Sequence, residues 1–560
     1  MSFEFDLSGV FRAVAAAIPD YCFLHWRGER FTYAATDIRV DGVAHYLHSL
    51  GVGCHIERRG LQGYESGQDH LGIYLRNSNQ YLETMLGAYR ARVAPFNVNF
   101  RYTGEELIYL LRDARATVLV YGAEFAPRVA EIRDRLPEVK FLIQVPDDSG
   151  HPLLEGAVDF ETIVHTAPPS TAMPAPSGED LFIIYTGGTT GMPKGVLWRQ
   201  HDIFMSSMGG RPLGGGPALE SLEALQARVR QAPGALSLLM VAPFMHGAGQ
   251  WATFYLMTMG GWIALPDDVR TLDPAKALRL VEQLGITGIP VVGDAVARPL
   301  IDEIETGGHD LRTLLTITNG GAPLSPTVRD RILAALPHVA LVDVIGSSET
   351  GTQMNRLSTA EVAEATGFSP SDATAVISPD RERVLAPGGG QGWLAQRGFI
   401  PLGYLGDPAK TSATYPTIDG VRWSLPGDRA DYRSDGHIVL LGRDSLTINT
   451  GGEKVFVEEV ERALCAHDAV YDVVVVGRPC PRWGQEVVAI VQLIDGVEAT
   501  DQELAATCSE RLARYKIPKS FIRTSTIVRS PAGKADYRWA RELAIRTSAQ
   551  LPESTPSEIA

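Results

Sequence analysis

Residues 185–195 read Tyr-Thr-Gly-Gly-Thr-Thr-Gly-Met-Pro-Lys-Gly, a run in which glycines, hydroxyls and one lysine are interleaved. Gly187, Gly188, Gly191 and Gly195 let backbone N–H groups come close to an anion. Thr186, Thr189 and Thr190 add hydroxyl donors, and Lys194 adds positive charge. A loop of that make-up suits a polyphosphate. It is not a Walker A loop, which needs Gly-Lys-Ser/Thr after four intervening residues, because Pro193 precedes Lys194. The apolar run 181–185 leads straight into it, so a strand presents the loop.

Such a loop needs a scaffold, and the flanking sequence supplies one. Apolar, β-branched runs at 71–74, 116–121, 140–145, 181–185, 314–318 and 339–344 read as buried strands. Amphipathic stretches at 105–113, 131–136, 274–284 and 326–336 read as helices between them. Strands alternating with helices predict a mixed α/β fold with layered, parallel sheet. Residues 55–70 read as a polar surface loop, and 166–178 as a Pro/Ser-rich connection that cannot continue a helix or central strand. Asp435-Gly436 predicts a tight turn into a strand at 437–441. Beyond residue 443 the texture changes, to a helix at 458–465, strands at 473–476 and 487–493, and a helix at 502–514, a compact α+β unit. The Pro/Ser/Glu-rich tail 546–560 reads as disordered. No repeat of 20–50 residues is visible.

Composition excludes several function classes. In 560 residues, 51 Lys and Arg stand against 66 Asp and Glu, a formal charge of -15 that argues against nucleic-acid and anionic-membrane partners. Cys22, Cys54, Cys465, Cys480 and Cys508 are scattered, with no CxxC pair, so neither a disulfide framework nor a zinc site is expected. The N-terminus lacks a basic segment followed by an apolar one, which reads as no signal peptide and a cytoplasmic location. Residues 231–266 carry no Asp, Glu, Lys or Arg, yet Pro and Gly interrupt them repeatedly. The expectation there is a buried strand, loop and helix, with no transmembrane segment, since a span needs about 20 apolar residues.

The eleven-residue loop and the segments that follow it resemble adenylate-forming enzymes, the group of acyl-CoA synthetases, luciferases and peptide-synthetase adenylation domains. Matching segments run in that family's order over nearly the whole chain. The segments GDAVARPL (293–300), VIGSSETG (344–351) and RSPAGKADYRW (529–539) are similar to actinobacterial acyl-CoA ligases for fatty or steroid side-chain carboxylates. The resemblance implies an N-terminal domain (1–442), a hinge at 443–445 with Asp444 at its pivot, and a mobile C-terminal domain (446–545). It implies that residues 186–194 hold the ATP phosphates and that Gly320, Gly321 and Ala322, in Asn-Gly-Gly-Ala-Pro, wall the adenine pocket. In 345–349, Ile345, Gly346, Ser347 and Ser348 would face the nucleotide, and Glu349, with Thr186, would hold Mg²⁺. A single carboxylate suffices for Mg²⁺ that also takes phosphate oxygens and water. Asp428 and Arg443 would contact the ribose, and Lys534 would meet the α-phosphate and the attacking carboxylate.

The same resemblance assigns His246, Trp251 and Gly320 to the acyl pocket, with a helix beginning at Trp251, and Gly451 and Gly452 to a CoA tunnel. The implied reaction joins an apolar carboxylic acid to CoA through acyl-AMP, at the expense of ATP, and leaves a homo-oligomer open. Its rivals are loading of a carrier-protein phosphopantetheine and a non-catalytic nucleotide-binding homologue. Three features depart from the broad family: Ile345 where Tyr is common, Arg92 where Gly is common, and the 55–70 insertion.

Overall fold

The computed structural model describes residues 3–165, 172–186, 192–213, 215–361, 367–450, 453–480, 483–529 and 533–548. Two eight-stranded sheets form the framework up to Arg443. In one, Leu181–Thr186, Ala94–Asn97, His70–Tyr74, Ala116–Gly122, Phe141–Val145 and Ala157–Asp159 run parallel; antiparallel Lys194–Arg199 and Gly403–Tyr404 extend one edge. In the other, Ala340–Ser347, Thr316–Gly320, Gly288–Val291, Ser237–Leu239, Trp262–Ala264 and Cys22–Trp26 are parallel; Gly351–Ser358 and Glu29–Thr32 close its two edges antiparallel. Strands buried on both faces are apolar throughout, which is why runs such as Ala116–Gly122 and Leu181–Thr186 do not alternate. His70–Tyr74, for example, is buried at all five residues.

The largest core cluster joins the two sheets, with Leu71, Val118, Phe182 and Ile184 from the first and Leu24 and Ile263 from the second. A third, antiparallel sheet carries Asp428–Tyr432 beside Ile438–Arg443, joined by the predicted Asp435-Gly436 turn, where Gly436 adopts φ +85°. After the short 3-10 turn Asp444–Leu446 a separate five-stranded sheet begins, with Ile448–Thr450, Val470–Cys480, Gly484–Leu493 and Ser520–Arg523 among its strands.

Several local expectations shift. The helix placed at 131–136 runs Ala126–Ile132, because Pro127 suits a first helical turn, and only a 3-10 turn, Arg133–Arg135, follows. The strand placed at 314–318 is Thr316–Gly320, since Leu314 packs below the sheet in the core of the adjoining helices. The helix placed at 502–514 is Asp501–Ser509, capped by a reciprocal Thr500–Glu503 box. Helix Tyr537–Ser548 continues through Arg546, so the tail does not begin there; residues 549–560 lie outside the described residues. The charge-free 231–266 stretch resolves into Ser237–Leu239, the helix Gly247–Met257 and Trp262–Ala264, and no described helix is long and apolar enough to cross a membrane.

Arg92 has a structural account. It holds φ +58°, the left-handed conformation that favours glycine, and its guanidinium binds buried Asp180 and, at 2.8 and 2.9 Å, Glu57. Gln68 Nε2 donates to its carbonyl at 2.7 Å. Glu57 and Gln68 belong to the inserted 55–70 loop, so Arg92 pins that loop to the sheet.

Candidate active site

Strands Leu181–Thr186 and Lys194–Arg199 pair antiparallel, with Thr186 opposite Lys194, so the two ends of the Gly-rich segment are held side by side. Gly187, Gly188, Thr189, Thr190 and Gly191 lie outside the described residues. Beside Thr186, Lys194 Nζ sits 3.1 Å from Asp407 Oδ2; burial lowers the ammonium's pKa, but Asp407 outweighs that and leaves it raised. Asn97, which sequence reasoning missed, stitches Tyr185 to the turn that precedes His246. Its Oδ1 accepts from Tyr185 N at 2.7 Å, and its Nδ2 donates to Tyr185 O at 2.9 Å and Met245 O at 2.7 Å. A polar residue closing a buried strand, Ala94–Asn97, was the available signal.

Gly320 and Ile345 lie at the carboxyl ends of neighbouring parallel strands, Thr316–Gly320 and Ala340–Ser347, where open α/β sheets place their ligands. Gly320 and Gly321 lead into Ala322, and Gly321 takes φ +82°. Beneath them Asn319 Nδ2 donates to Asp343 Oδ1 at 3.0 Å and to Ala322 O at 3.2 Å. Arg329 and Arg356 each meet Asp343 Oδ2 at 2.9 Å. This buried, paired carboxylate fixes the wall from behind, and no sequence pattern announced it.

Gly346 and Ser347 end the strand Ala340–Ser347, and Ser348 and Glu349 open the turn that leads into antiparallel Gly351–Ser358. Trp198 Nε1 donates to Ser348 O at 2.9 Å, and Ser424 Oγ to Glu349 O at 2.6 Å. The Glu349 carboxylate accepts from Tyr404 Oη at 2.9 Å, while burial and that carboxylate push the Tyr404 phenol's pKa up and keep it a donor. Asp428 and Arg443 are cross-strand partners, Nε to Oδ1 at 3.2 Å, and Asp428 keeps the guanidinium charged.

Lys534 comes from the far end of the chain into this same cleft. Its side chain is open to the cleft, yet the surrounding walls strip hydration and push its pKa down. Arg443 pushes the same way, and Glu349 and Asp428 oppose. His246 lies nearby, where burial, then Lys534 and Arg101, lower its pKa to about 4 and leave a neutral imidazole. His246 precedes the helix Gly247–Met257, so that helix begins four residues before the expected Trp251 start. His246 Nε2 and Trp251 Nε1 are buried polar atoms with no hydrogen-bond partner among the described residues, and the Trp251 ring lies against Gly247. Asp444 opens the 3-10 turn after Arg443; Gly451 and Gly452 lie outside the described residues. The arrangement thus offers cations, a carboxylate and amide-rich turns around one cleft, with an apolar helix behind.

Comparison with known proteins gives this cleft a family. Residues 11–404 match the AMP-binding enzyme family and residues 459–534 match the AMP-binding enzyme C-terminal domain. The medium-chain acyl-CoA ligase Mig of Mycobacterium avium is 51% identical over 545 residues, covering 97% of this chain and 98% of its own. The 3-oxocholest-4-en-26-oate--CoA ligase of Rhodococcus rhodochrous is 36% identical, covering 94% and 93%. A crystal structure of the anthranilate CoA ligase AuaEII in complex with anthranoyl-AMP shares the fold, with a TM-score of 0.80 at 19% identity over 98% of this chain and 99% of that one. The chain belongs to the AMP-binding enzyme family, among its acyl-CoA ligases.

Proposed function

We propose that the protein activates a medium-chain fatty carboxylate with ATP and transfers the acyl group to CoA in the cytoplasm. The convergence of Lys534, Glu349, Asp428 and Arg443 on one cleft carries this reading. A carboxylate oxygen of the acid attacks the α-phosphorus of ATP, the bond to pyrophosphate breaks, and acyl-AMP forms. Lys534 holds the acid and the α-phosphate together and faces the negative charge that builds there, an effect worth most where donors are fixed in place beforehand. Asp428 accepts from the ribose hydroxyls, Arg443 flanks it, and the Gly320–Ala322 turn and Ile345 bound the adenine. Lys194 exchanges Asp407 for the β- and γ-phosphates. Glu349, a hard oxygen donor with Tyr404 bonded to one of its oxygens, fits Mg²⁺ and with Thr186 would hold it. When bound it neutralises phosphate charge.

CoA thiolate then attacks the acyl carbonyl and AMP leaves. That step needs a different face of the small domain, and rotation about Asp444 would bring Gly451 and Gly452 to it. His246, Trp251 and the helix Gly247–Met257 line the acyl side, where the unpartnered His246 Nε2 and Trp251 Nε1 are suited to a ligand's polar atoms. The choice of a medium-chain acid is supported by the 51% identical relative, which is named for medium chains. A second reading, a steroid side-chain carboxylate, is favoured by the 36% identical relative.

Mass spectrometry of products from ATP, Mg²⁺, CoA and a panel of octanoate, decanoate, palmitate and 3-oxocholest-4-en-26-oate tests the proposal. The expected products are AMP and acyl-CoA, fastest with octanoate or decanoate. ADP in place of AMP overturns the mechanism. Acyl-AMP accumulating without acyl-CoA points to a carrier-protein thiol, and preference for the steroid acid selects the second reading.

A further inference from the structure

The segment 293–300 opens the helix Gly293–Thr306, and the ligase reading leaves it without a role. In the folded chain it is the ground on which the C-terminal unit rests. The Lys534 turn sits directly on it: a Cβ added at Gly533 would lie 2.6 Å from Val292 O and 3.3 Å from Ala295 Cβ. One helical turn on, the Arg298 guanidinium lies 4.6 Å from the ring centre of Tyr471, in the strand Val470–Cys480 of the small sheet. Beside it Thr327 Oγ1 donates to Cys465 O at 3.2 Å.

The same helix start is bonded to the nucleotide wall. Asn319 Oδ1 accepts from Gly293 N at 2.8 Å, while its Nδ2 holds Ala322 O and Asp343 as described. Asp294 Oδ1 accepts from Ser325 N at 2.8 Å, and its other oxygen accepts from Arg298 Nη2 at 2.7 Å. Gly293 takes φ +58°, and a Cβ there would meet Pro323 O at 2.6 Å, so the two segments are in direct backbone contact. Asp294 therefore orients buried Arg298 from one side, leaving its planar face for the Tyr471 ring.

We propose that residues 292–298 are a docking platform for the small domain, with Arg298 and Tyr471 as positioning residues that set Lys534 for adenylate formation. Asn319 and Asp294 tie the platform to the nucleotide wall, so the wall's position and the seating of Lys534 are coupled. The proposal rests on Lys534 serving the first half-reaction. It follows physically because a cation over an aromatic face holds a fixed distance and direction, and a reacting group displaced by about 1 Å can lose about a hundredfold in rate. Since the contact joins two domains that must part for CoA to enter, its loss affects one half-reaction and spares the other.

The test uses the full chain and two assays, carboxylate-dependent exchange of pyrophosphate into ATP and conversion of supplied acyl-AMP with CoA to acyl-CoA. Tyr471→Ala is expected to slow exchange about fivefold or more, with thioester formation within about twofold of the parent. Tyr471→Phe keeps the ring and restores exchange, and Thr327→Val, at an exposed position, slows exchange by less. Equal losses in both assays, or unchanged exchange in Tyr471→Ala, overturn the platform, provided Lys534→Ala still abolishes exchange. Exchange that survives Lys534→Ala overturns the reading of Lys534 beneath it, and the platform with it.

Discussion

Gly533→Ala probes the docked arrangement most directly. Gly533 holds φ +68°, where an L-residue costs about 1–2 kcal/mol. The strain belongs to the turn itself and accompanies it in any domain position. The second cost arises only when the domains are docked, because the new methyl would lie 2.6 Å from Val292 O, roughly an ångström inside ordinary contact. Relieving such an overlap costs about 1–3 kcal/mol, or moves the turn and Lys534 with it. Either way, adenylate formation should fall by about five- to a hundredfold more than thioester formation. Carboxylate-dependent pyrophosphate exchange, measured beside the conversion of supplied acyl-AMP with CoA, separates the two costs. Parent-like exchange would show that Lys534 reacts from some other placement, and equal losses would reduce the effect to backbone strain.

Two further outcomes follow from buried charge. Glu458 lies over Gly442 and accepts from Arg443 N at 3.3 Å; burial, with Asp428 adding to it, pushes its carboxyl up to about 7. Between pH about 4.5 and 7 the folded chain keeps a proton that the unfolded chain has released, so stability falls as pH rises, by no more than about 3 kcal/mol. Glu458→Gln should shrink the difference in unfolding midpoint between pH 5.5 and 8, leaving the part due to Glu461, which burial raises to about 8; an unaltered difference refutes the assignment. Arg92→Ala leaves Asp180, 3% exposed, without its partner, and should destabilise the fold by about 3 kcal/mol in denaturant titration while sparing KM for ATP and acid. An unchanged midpoint would contradict the pinning role given to Arg92.

Much of the candidate site is spelled in short, local stretches of sequence. A turn that approaches a phosphate needs glycine, hydroxyl and lysine within a few residues, so the phosphate-holding role proposed for the 185–195 segment is spelled locally. Ser347 ends a strand and Ser348 and Glu349 follow it in the hairpin turn, and Asp428 and Arg443 face each other on paired strands, so neighbouring sequence positions them too. Helix Pro274–Leu284 was legible to the residue because Asp273 caps it, Pro274 starts it and Gly285 stops it in the left-handed conformation. Where a boundary depended on what packed against it, as for Thr316–Gly320, local pattern misplaced it.

Other features have no local spelling. Asn97 bonds at once to Tyr185 and Met245, residues joined only when the sheet and the turn before His246 meet. Asp343 is an acid in an apolar strand until Asn319, Arg329 and Arg356 gather around it. Arg92 stands in a glycine-like conformation just past the end of the helix Asn79–Arg90, and Asp180 and Glu57, remote in sequence, hold its guanidinium. By itself the sequence determined the chemical kinds of group, the strands and turns that carry them, and the family they resemble, because those depend on side-chain type and short spacing. Tertiary structure alone decided that Lys534 enters the cleft of Glu349, Asp428 and Arg443, and that Val292, Ala295 and Arg298 form the surface that seats it. Such meetings arise from packing between remote segments, whose distance in space no spacing along the chain encodes.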